Sequence, residues 1–182
     1  MIADEENLIK QAQGGDSGSF GELYHHYSPA IYRFVLLKVN QRQMAEDLTH
    51  DVFTNAWQSI GRYTHQGFPF SSWLYQIARN RVIDHYRTHK KQTSIDLLDE
   101  DVLKEHGLEE IKLDNSLDVK RVRKAITELS SEQQDVVLMR FMEDMSHQEI
   151  AAALDKSEGA VRLLQHRAIN KLKNLFSNDN GR

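Results

Sequence analysis

Apolar residues recur with the three- and four-residue spacing of α-helices along most of this 182-residue chain. In the N-terminal half, the pattern predicts helices over residues 4–13, from Asp16 or Ser17 onward, over 41–60 and, after an aromatic-rich loop at 61–70, from Ser71 or Ser72 to Lys91. We expect Pro29 to begin a new helix within the second of these segments, because a first helical position does not need the missing amide. Ser71 or Ser72 is the expected N-cap of the last helix.

Shorter helices are predicted in the C-terminal part of the chain. The signals are a periodic segment at 119–129, capping boxes at Ser131/Gln134 and Ser146/Glu149, and a last helix from Ser157 or Glu158. We expect Val122 and Phe141 to point into the core. A tight turn at Asp155 joins the last two helices, and Asp tolerates a left-handed conformation better than most residues. Two helices joined in this way are typical of a helix-turn-helix unit.

Composition narrows the fold class and excludes several kinds of chemistry. Two prolines, nine glycines and 40% hydrophobic residues favour an all-α protein of two small helical domains. The absence of cysteine excludes disulfides, thiol catalysis and cysteine-ligated zinc. No apolar run approaches the ~20 residues of a membrane span, and the acidic start lacks the order of a secretory signal. We therefore expect a soluble, cytoplasmic protein.

The sequence offers no candidate site for enzyme chemistry. His85 and His89 stand four residues apart, a spacing that can hold zinc, but neither a third ligand nor an HExxH motif accompanies them. No glycine-rich phosphate loop, nucleophile elbow or paired-carboxylate motif is present. We expect no enzyme activity, no metal or other cofactor, and no small-molecule substrate.

Charge is distributed unevenly along the chain, whose formal net charge is −4. Residues 68–91 carry five bases and one acid, a net charge of +4, and the last helix carries four bases and one acid, a net charge of +3. Cationic helices suit the phosphate backbone of nucleic acid, although a merely solvated helix is the alternative interpretation. Residues 92–118 carry nine acids and two bases, a net charge of −7, and we interpret them as a linker between domains at 1–91 and 119–182.

Two segments resemble conserved regions of bacterial RNA polymerase sigma factors. The segment LYQIARNRVIDHYR, with AEDLTHDVFTNAW before it, resembles the second region, and SHQEIAAALDKSEGAVRLLQHRAINKLK resembles the fourth. The resemblance covers roughly 20–91 and 119–175, in the order of the family and without an extra domain between them, as in the extracytoplasmic-function group. It implies a dissociable subunit that binds core RNA polymerase, at the largest-subunit coiled coil and the flap, and promoter DNA. It also implies an anti-sigma partner.

The resemblance assigns roles to residues at matching positions. The set that faces the −10 promoter element is Tyr63, Gln76, Arg79, Asn80 and Arg87, with Tyr63 as a solvent-facing ring beside the pocket of a flipped base that Asn80 reads. The set that approaches the −35 element is Ser157, Glu158, Arg162, Leu163, His166, Arg167 and Lys171. The set that docks on the basic coiled coil of core polymerase is Glu46, Asp47 and Asp51.

Several alternatives remain open at this stage. The acids of the docking set can instead serve the helix dipole and solubility. The linker can thread a basic channel of the polymerase, as the resemblance implies, or can simply keep two domains apart by repulsion. A stand-alone helix-turn-helix regulator would bind duplex DNA without polymerase, and a helical adaptor would bind only protein. A gel shift with and without core polymerase separates these classes.

Overall fold

The computed structural model of the chain describes residues 4–65, 67–93 and 117–179. These residues form eight α-helices and one short 3-10 helix (Ile60–Arg62), and no strand occurs among them. The α-helices are α1 (Glu5–Gln13), α2 (Ser17–Val39), α3 (Arg42–Ser59), α4 (Phe70–Thr93), α5 (Leu117–Thr127), α6 (Ser131–Met142), α7 (His147–Leu154) and α8 (Glu158–Asp179). The predicted all-α class is confirmed. The chain divides into two compact units, Met1–Glu109 and Glu110–Arg182, and residues 94–116 of the predicted linker lie outside the described residues.

The first unit is built on α2, α3 and α4, which pack against one another, with α1 against α2. Apolar side chains at helical spacing line the contact, and the fully buried ones include Leu23, Ile31, Val35, Val52, Ala56, Leu74 and Val82. Asp16 caps α2 as predicted, because its carboxylate accepts a hydrogen bond from the Ser19 amide at 2.9 Å. Hydrogen bonds from Ser19 lower the pKa of Asp16 below its ordinary value.

Two predicted helix starts in the first unit are wrong. Helix α2 continues through Pro29 without a new beginning. Burial of Ile31 and Phe34, two and five residues later, stabilises the helix enough to offset the hydrogen bond that proline cannot make. Helix α4 begins at Phe70, before the two serines, and the Ser72 amide donates to the Pro69 carbonyl at 3.0 Å. The first turn therefore forms around the buried Phe70 ring, and neither serine is the N-cap.

The second unit packs α6 and α7 against α8 and closes with α5. Leu129, Val137 and Ala168 form a buried cluster that Leu172 covers. The first capping box lies one residue earlier than predicted, at Ser130 and Gln133. Gln134 is instead used to hold the end of α5, since its amide donates to the Ile126 carbonyl at 3.1 Å and the Leu129 carbonyl at 3.2 Å.

The helix-turn-helix is present in the second unit. Ser146 and Glu149 form the predicted capping box of α7, and Asp155 ends that helix in the left-handed conformation with φ 52°. The Ser157 hydroxyl then accepts from the Ala160 amide at 3.2 Å and caps α8. Two predicted core positions are wrong, because 46% of Val122 and 60% of Phe141 is exposed.

Candidate polymerase and nucleic-acid interfaces

The three acids of the docking set lie together on the exposed face of α3. Its opposite face is buried through Ala45, Leu48, Val52 and Ala56, so the amphipathic pattern holds Glu46, Asp47 and Asp51 in solvent. Glu46 forms an ion pair with Arg42 at 2.9 Å. Asp47 and Asp51 are one helical turn apart and form no ion pair within the described part of the chain. Their two negative charges are therefore available to a cationic partner.

Tyr63 belongs to an aromatic cluster, which comprises Tyr27, Tyr63, Phe70 and Trp73. The Tyr63 ring lies 5.0 Å from the ring of Trp73 and 5.3 Å from that of Phe70. Its predicted orientation toward solvent is wrong, because the ring is half-buried against these neighbours. Burial, and secondly the charge of Glu5, raise the pKa of Tyr63 above its ordinary value. Edge-to-face and tilted packing of this kind stabilises a ring beyond the area that it buries.

Helix α4 carries the remaining −10 set along the face that begins at Trp73. Gln76, Asn80 and Arg87 follow Trp73 at intervals of three, four and seven residues, so they share one side of the helix. Asn80 is exposed, and its amide makes no side-chain hydrogen bond among the described residues. It lies two turns, about 10 Å, beyond Trp73.

The structure brings only part of the −10 set together. Tyr63 contacts Trp73 rather than Asn80. Arg87 is exposed and forms an ion pair with Asp84 at 3.1 Å, while Arg79 is half-buried. Trp73 was absent from the predicted set, although its place one turn before Gln76 on the same face of the cationic helix was readable from the sequence.

The −35 set occupies two neighbouring stripes of α8. Glu158, Arg162 and His166 follow one another at four-residue intervals, and Leu163, Arg167 and Lys171 do the same on the adjacent stripe. Leu163 is 49% exposed, and Arg167 is exposed without an ion pair within the described residues. Both stripes follow directly on the turn at Asp155 and the cap at Ser157, which is where a helix-turn-helix presents its recognition helix.

Besides Ser157, which caps α8, four members of the −35 set are bonded within the second unit: Glu158, Arg162, His166 and Lys171. The Arg162 guanidinium pairs with the Glu158 carboxylate one turn earlier. The His166 ring lies 3.3 Å from the Asn170 amide nitrogen. The Lys171 ammonium donates to the backbone carbonyl of Glu128, at the end of α5. Each of these groups therefore already has a partner within the second unit.

Sequence reasoning missed an apolar groove in the second unit. The groove has a volume of about 660 Å³ and is lined by Val137, Phe141, Ile169, Leu172, Lys173, Phe176 and Ser177. The exposed Phe141 forms part of its wall. The run VVLMRFM contains more apolar residues than one helix face can bury, and this excess is the signal that could have revealed the groove.

Other kinds of site receive no support from the described residues. Residues 4–65, 67–93 and 117–179 contain no group of three or more histidine, aspartate and glutamate side chains that could hold a metal. No helix in these ranges is long and apolar enough to cross a bilayer.

Comparison with known proteins gives the family. Residues 23–92 match Sigma-70 region 2, and residues 125–174 match Sigma-70 region 4. The ECF RNA polymerase sigma factor BldN of Streptomyces coelicolor is 37% identical over 175 residues, which are 94% of this chain and 66% of BldN. This chain is an ECF sigma factor.

Further relatives of this ECF sigma factor agree in extent and in fold. The ECF RNA polymerase sigma factor SigM of Bacillus subtilis is 28% identical, over 86% of this chain and 94% of SigM. The sigma factor RpoE of Bartonella quintana, solved with the anti-sigma factor NepR, has the same fold, with a TM-score of 0.72 and 24% identity over 87% of this chain and 96% of RpoE. The prediction from the sequence is confirmed, and a stand-alone helix-turn-helix regulator is not favoured, because the region 2 match is unexplained by it.

Proposed function

We propose that this ECF sigma factor docks on core RNA polymerase through α3, reads the −10 element with α4 and reads the −35 element with α8. Residues 1–91 then form the docking and melting domain, 92–118 the linker, and 119–182 the −35 domain. The observation that carries the proposal is the presence, in one chain, of both sigma regions, each of which exposes polar side chains on a cationic helix. The protein works as a dissociable subunit in the cytoplasm and not as a catalyst.

Docking through α3 rests on the exposed carboxylates of Asp47 and Asp51. A basic coiled coil would complement these charges, which no cation in the described part of the first unit neutralises. Glu46 contributes less, because Arg42 already pairs with it. We expect Asp47→Lys/Asp51→Lys to weaken core binding at least tenfold, with unchanged helical circular dichroism. Glu6→Lys/Glu22→Lys, which reverses two exposed acids elsewhere in the first unit, is the control.

Reading of the −10 element rests on the aromatic cluster and on Asn80. A base taken from the duplex can stack on an aromatic ring, and an exposed amide can both donate to and accept from a base edge. Gln76 and Arg87 flank Asn80 on the same face, and Arg79 is the half-buried member of the set. The aromatic surface that we propose for stacking is the ring of Trp73, against which the ring of Tyr63 packs.

Reading of the −35 element rests on the first two turns of α8. Arg162 lies in the part of a recognition helix that reaches base edges, and it can form two hydrogen bonds with a guanine. Ser157, Glu158, Leu163 and His166 surround that position, while Arg167 and Lys171 lie further along, where phosphates are within reach. The apolar groove is lined by other residues of α6 and α8, Phe141 among them, and we propose that it receives the polymerase flap.

An anti-sigma factor is the proposed regulatory partner. The same fold is held by the anti-sigma factor NepR in the Bartonella quintana structure. We propose that this chain is held in a comparable way by an anti-sigma factor of its own, which competes with core polymerase for the acidic face of α3.

The experiment that tests the function is a gel shift and a transcription assay on promoter DNA, with and without core polymerase. We expect stable binding and specific transcripts only when both proteins are present. Tight binding to duplex DNA by the chain alone would instead indicate a helix-turn-helix regulator. Binding to core polymerase with no effect on promoter choice would indicate an adaptor. The double α3 variant should abolish the transcript through loss of core binding.

A further inference from the structure

Helix α1 holds the segment that carries Tyr63 through the side chain of Gln13. The Gln13 amide nitrogen donates to two backbone carbonyls, that of Ile60 at 3.1 Å and that of Tyr63 at 2.7 Å. The Tyr63 amide itself donates to the Ile60 carbonyl at 2.9 Å, so one side chain fixes both ends of the 3-10 turn. Gln13 is half-buried, which shields these bonds from competing water.

The other end of α1 supports the same aromatic cluster. The Glu5 carboxylate accepts a hydrogen bond from the Tyr27 hydroxyl. The Tyr27 ring lies 5.7 Å from the ring of Phe70, which in turn packs at 5.3 Å against Tyr63 and at 5.2 Å against Trp73. Burial, and then the bond to Glu5, raise the pKa of Tyr27 above its ordinary value. Helix α1 therefore touches the cluster from two sides.

The N-terminal position of α1 makes this arrangement informative. All of α1 precedes residue 23, where the match to Sigma-70 region 2 begins. Ile9 and Ala12 are the buried residues of α1, and Glu5 adds a hydrogen bond to Tyr27 of α2, whereas the side-chain bonds of Gln13 reach beyond α2 to Ile60 and Tyr63. A helix that only completed the core would not need a donor placed on the backbone carbonyls of Ile60 and Tyr63.

We propose that Gln13 is a positioning residue for −10 reading, which fixes the backbone of Tyr63 so that the ring stands beside Trp73 before a base arrives. The inference rests on the proposed function of Tyr63 at the −10 element. A ring that is already in place does not have to be ordered when the base unstacks, so the binding energy of the base is retained. Without Gln13, the segment around Tyr63 adopts several conformations, and only some of the molecules hold the ring beside Trp73. The apparent affinity for the base falls in proportion to the fraction of molecules that keep this conformation.

The test uses full-length protein with Trp57→Phe, which leaves Trp73 as the single tryptophan of the chain. Gln13→Leu removes the donor, and Gln13→Lys keeps an N–H donor at the same place. Gln11 offers matched controls on the same helix, because its amide bonds Ser19 and Asn7 and not the segment of Tyr63. Gln11→Leu and Gln11→Lys therefore repeat the change in polarity and the change in charge.

Four measurements are made on each variant. They are Trp73 emission and its quenching by acrylamide in the free protein, 2-aminopurine fluorescence at the −10 base in holoenzyme complexes, affinity for core polymerase, and thermal unfolding. For Gln13→Leu we expect greater quenching of Trp73 and about tenfold less base unstacking, the result of losing two backbone hydrogen bonds. Core affinity should be unchanged, Gln13→Lys should restore most of the unstacking, and both Gln11 variants should match the parent.

The outcomes separate this inference from the proposed function. Tyr63→Ala is measured in parallel. If Tyr63→Ala lowers unstacking and Gln13→Leu does not, the positioning role is overturned while the function of Tyr63 stands. If Tyr63→Ala has no effect, both are overturned. If Gln13→Leu lowers unstacking and core affinity together, or if Gln13→Lys fails to restore unstacking, the role of Gln13 is a general one in the stability of the first unit.

Discussion

The two helices that we propose to face DNA, α4 and α8, differ in the bonds that their side chains form within the protein. On α4, the exposed amide of Asn80 has no hydrogen-bond partner among the described residues, and a packed aromatic cluster lies two turns away. On α8, Arg162 pairs with Glu158 and Lys171 with a backbone carbonyl. Asn80 therefore has no internal bond to break before the contact that we propose for it, whereas Arg162 and Lys171 exchange internal bonds for theirs. The contrast holds for these residues and not for the whole of each helix, since Arg87 on α4 is paired with Asp84.

The difference suits the two tasks. A base that leaves the duplex loses stacking and pairing, a cost of a few kcal/mol, and a surface that is already ordered adds nothing to that cost. Duplex −35 DNA keeps its base pairs when it is bound. Binding there can therefore tolerate the small cost of breaking bonds within the protein. An exposed ion pair one helical turn apart contributes only ~0.3–0.5 kcal/mol, against ~1–3 kcal/mol for a bidentate contact to a base. The exchange at Arg162 therefore favours DNA.

The largest expected effect is that of Asn80→Ala. We expect open-complex formation to fall by ~1–3 kcal/mol, or about 5- to 150-fold, at promoters with the preferred base at one −10 position, because no internal bond of Asn80 offsets the loss. On promoters with a different base at that position, the variant should form nearly as much open complex as the parent protein. The measurement is open-complex yield on a panel of single-base −10 variants, with Asn7→Ala on α1 as control. An equal loss on every promoter would show that Asn80 does not read a base.

Arg162→Ala should have the next largest effect. The variant loses the contact to guanine but no longer breaks the pair with Glu158, so we expect a net loss of about 0.5–2.5 kcal/mol on the preferred −35 element. Affinity for −35 elements changed at that base should stay close to that of the parent. Holoenzyme affinities on matched and altered −35 elements measure this. Equal loss on all −35 elements would contradict the placement of Arg162 at a base edge.

Glu158→Gln tests the exchange itself. Removing the carboxylate frees Arg162 and takes one negative charge from the DNA-facing surface, so affinity for promoter DNA should rise about twofold. Glu128→Gln, an exposed acid of the same unit, is the control. The gain should vanish when Glu158→Gln is combined with Arg162→Ala. A loss of affinity at a single base would show instead that Glu158 contacts that base directly.

The smallest expected effect is that of Lys171→Ala. Its ammonium is bonded to the Glu128 carbonyl in the free chain, so Lys171 exchanges one partner for a phosphate. We expect slightly weaker binding to every −35 sequence and a fall in the salt slope of less than the ~0.9 of a full phosphate contact. Arg167→Ala, which breaks no ion pair among the described residues, should lower the slope by the full amount. Equal salt slopes for the two variants would show that the internal bond of Lys171 does not weaken its contact with phosphate.

Local patterns in the sequence were sufficient for most of the fold. Helical spacing gave the buried face of α3, and capping residues gave the starts of α2, α7 and α8. The prediction at Pro29 was wrong because it considered only the hydrogen bond that proline cannot make. Burial of Ile31 and Phe34 in the core outweighs that loss. The pair of Glu158 and Arg162 was also within reach of the sequence, since four-residue spacing of opposite charges favours it.

Contacts between distant segments were beyond such reasoning. Tyr63 was expected in solvent because the segment around it has no period, and its neighbours come from α4. The bond from Gln13 to the Tyr63 carbonyl joins residues 50 positions apart, and no local sequence pattern around either residue predicts it. Phe141 matched the period of α6, but it is exposed at the open groove that α6 and α8 line together.

The long span of the Gln13 bond has a consequence for synthesis on the ribosome. Chains grow at ~5–20 residues per second, so α1 leaves the ribosome roughly 3–10 seconds before Tyr63, the partner 50 residues later. During that interval, the buried faces of Ile9 and Ala12 have only α2 to pack against. In the second unit, Gln134 reaches back 8 residues to Ile126, so this bond forms almost as soon as the chain emerges, whereas the bond from Lys171 to Glu128 spans 43 residues and forms late. A nascent chain stalled before residue 63 would thus present an α1 that lacks its last contacts to chaperones and proteases.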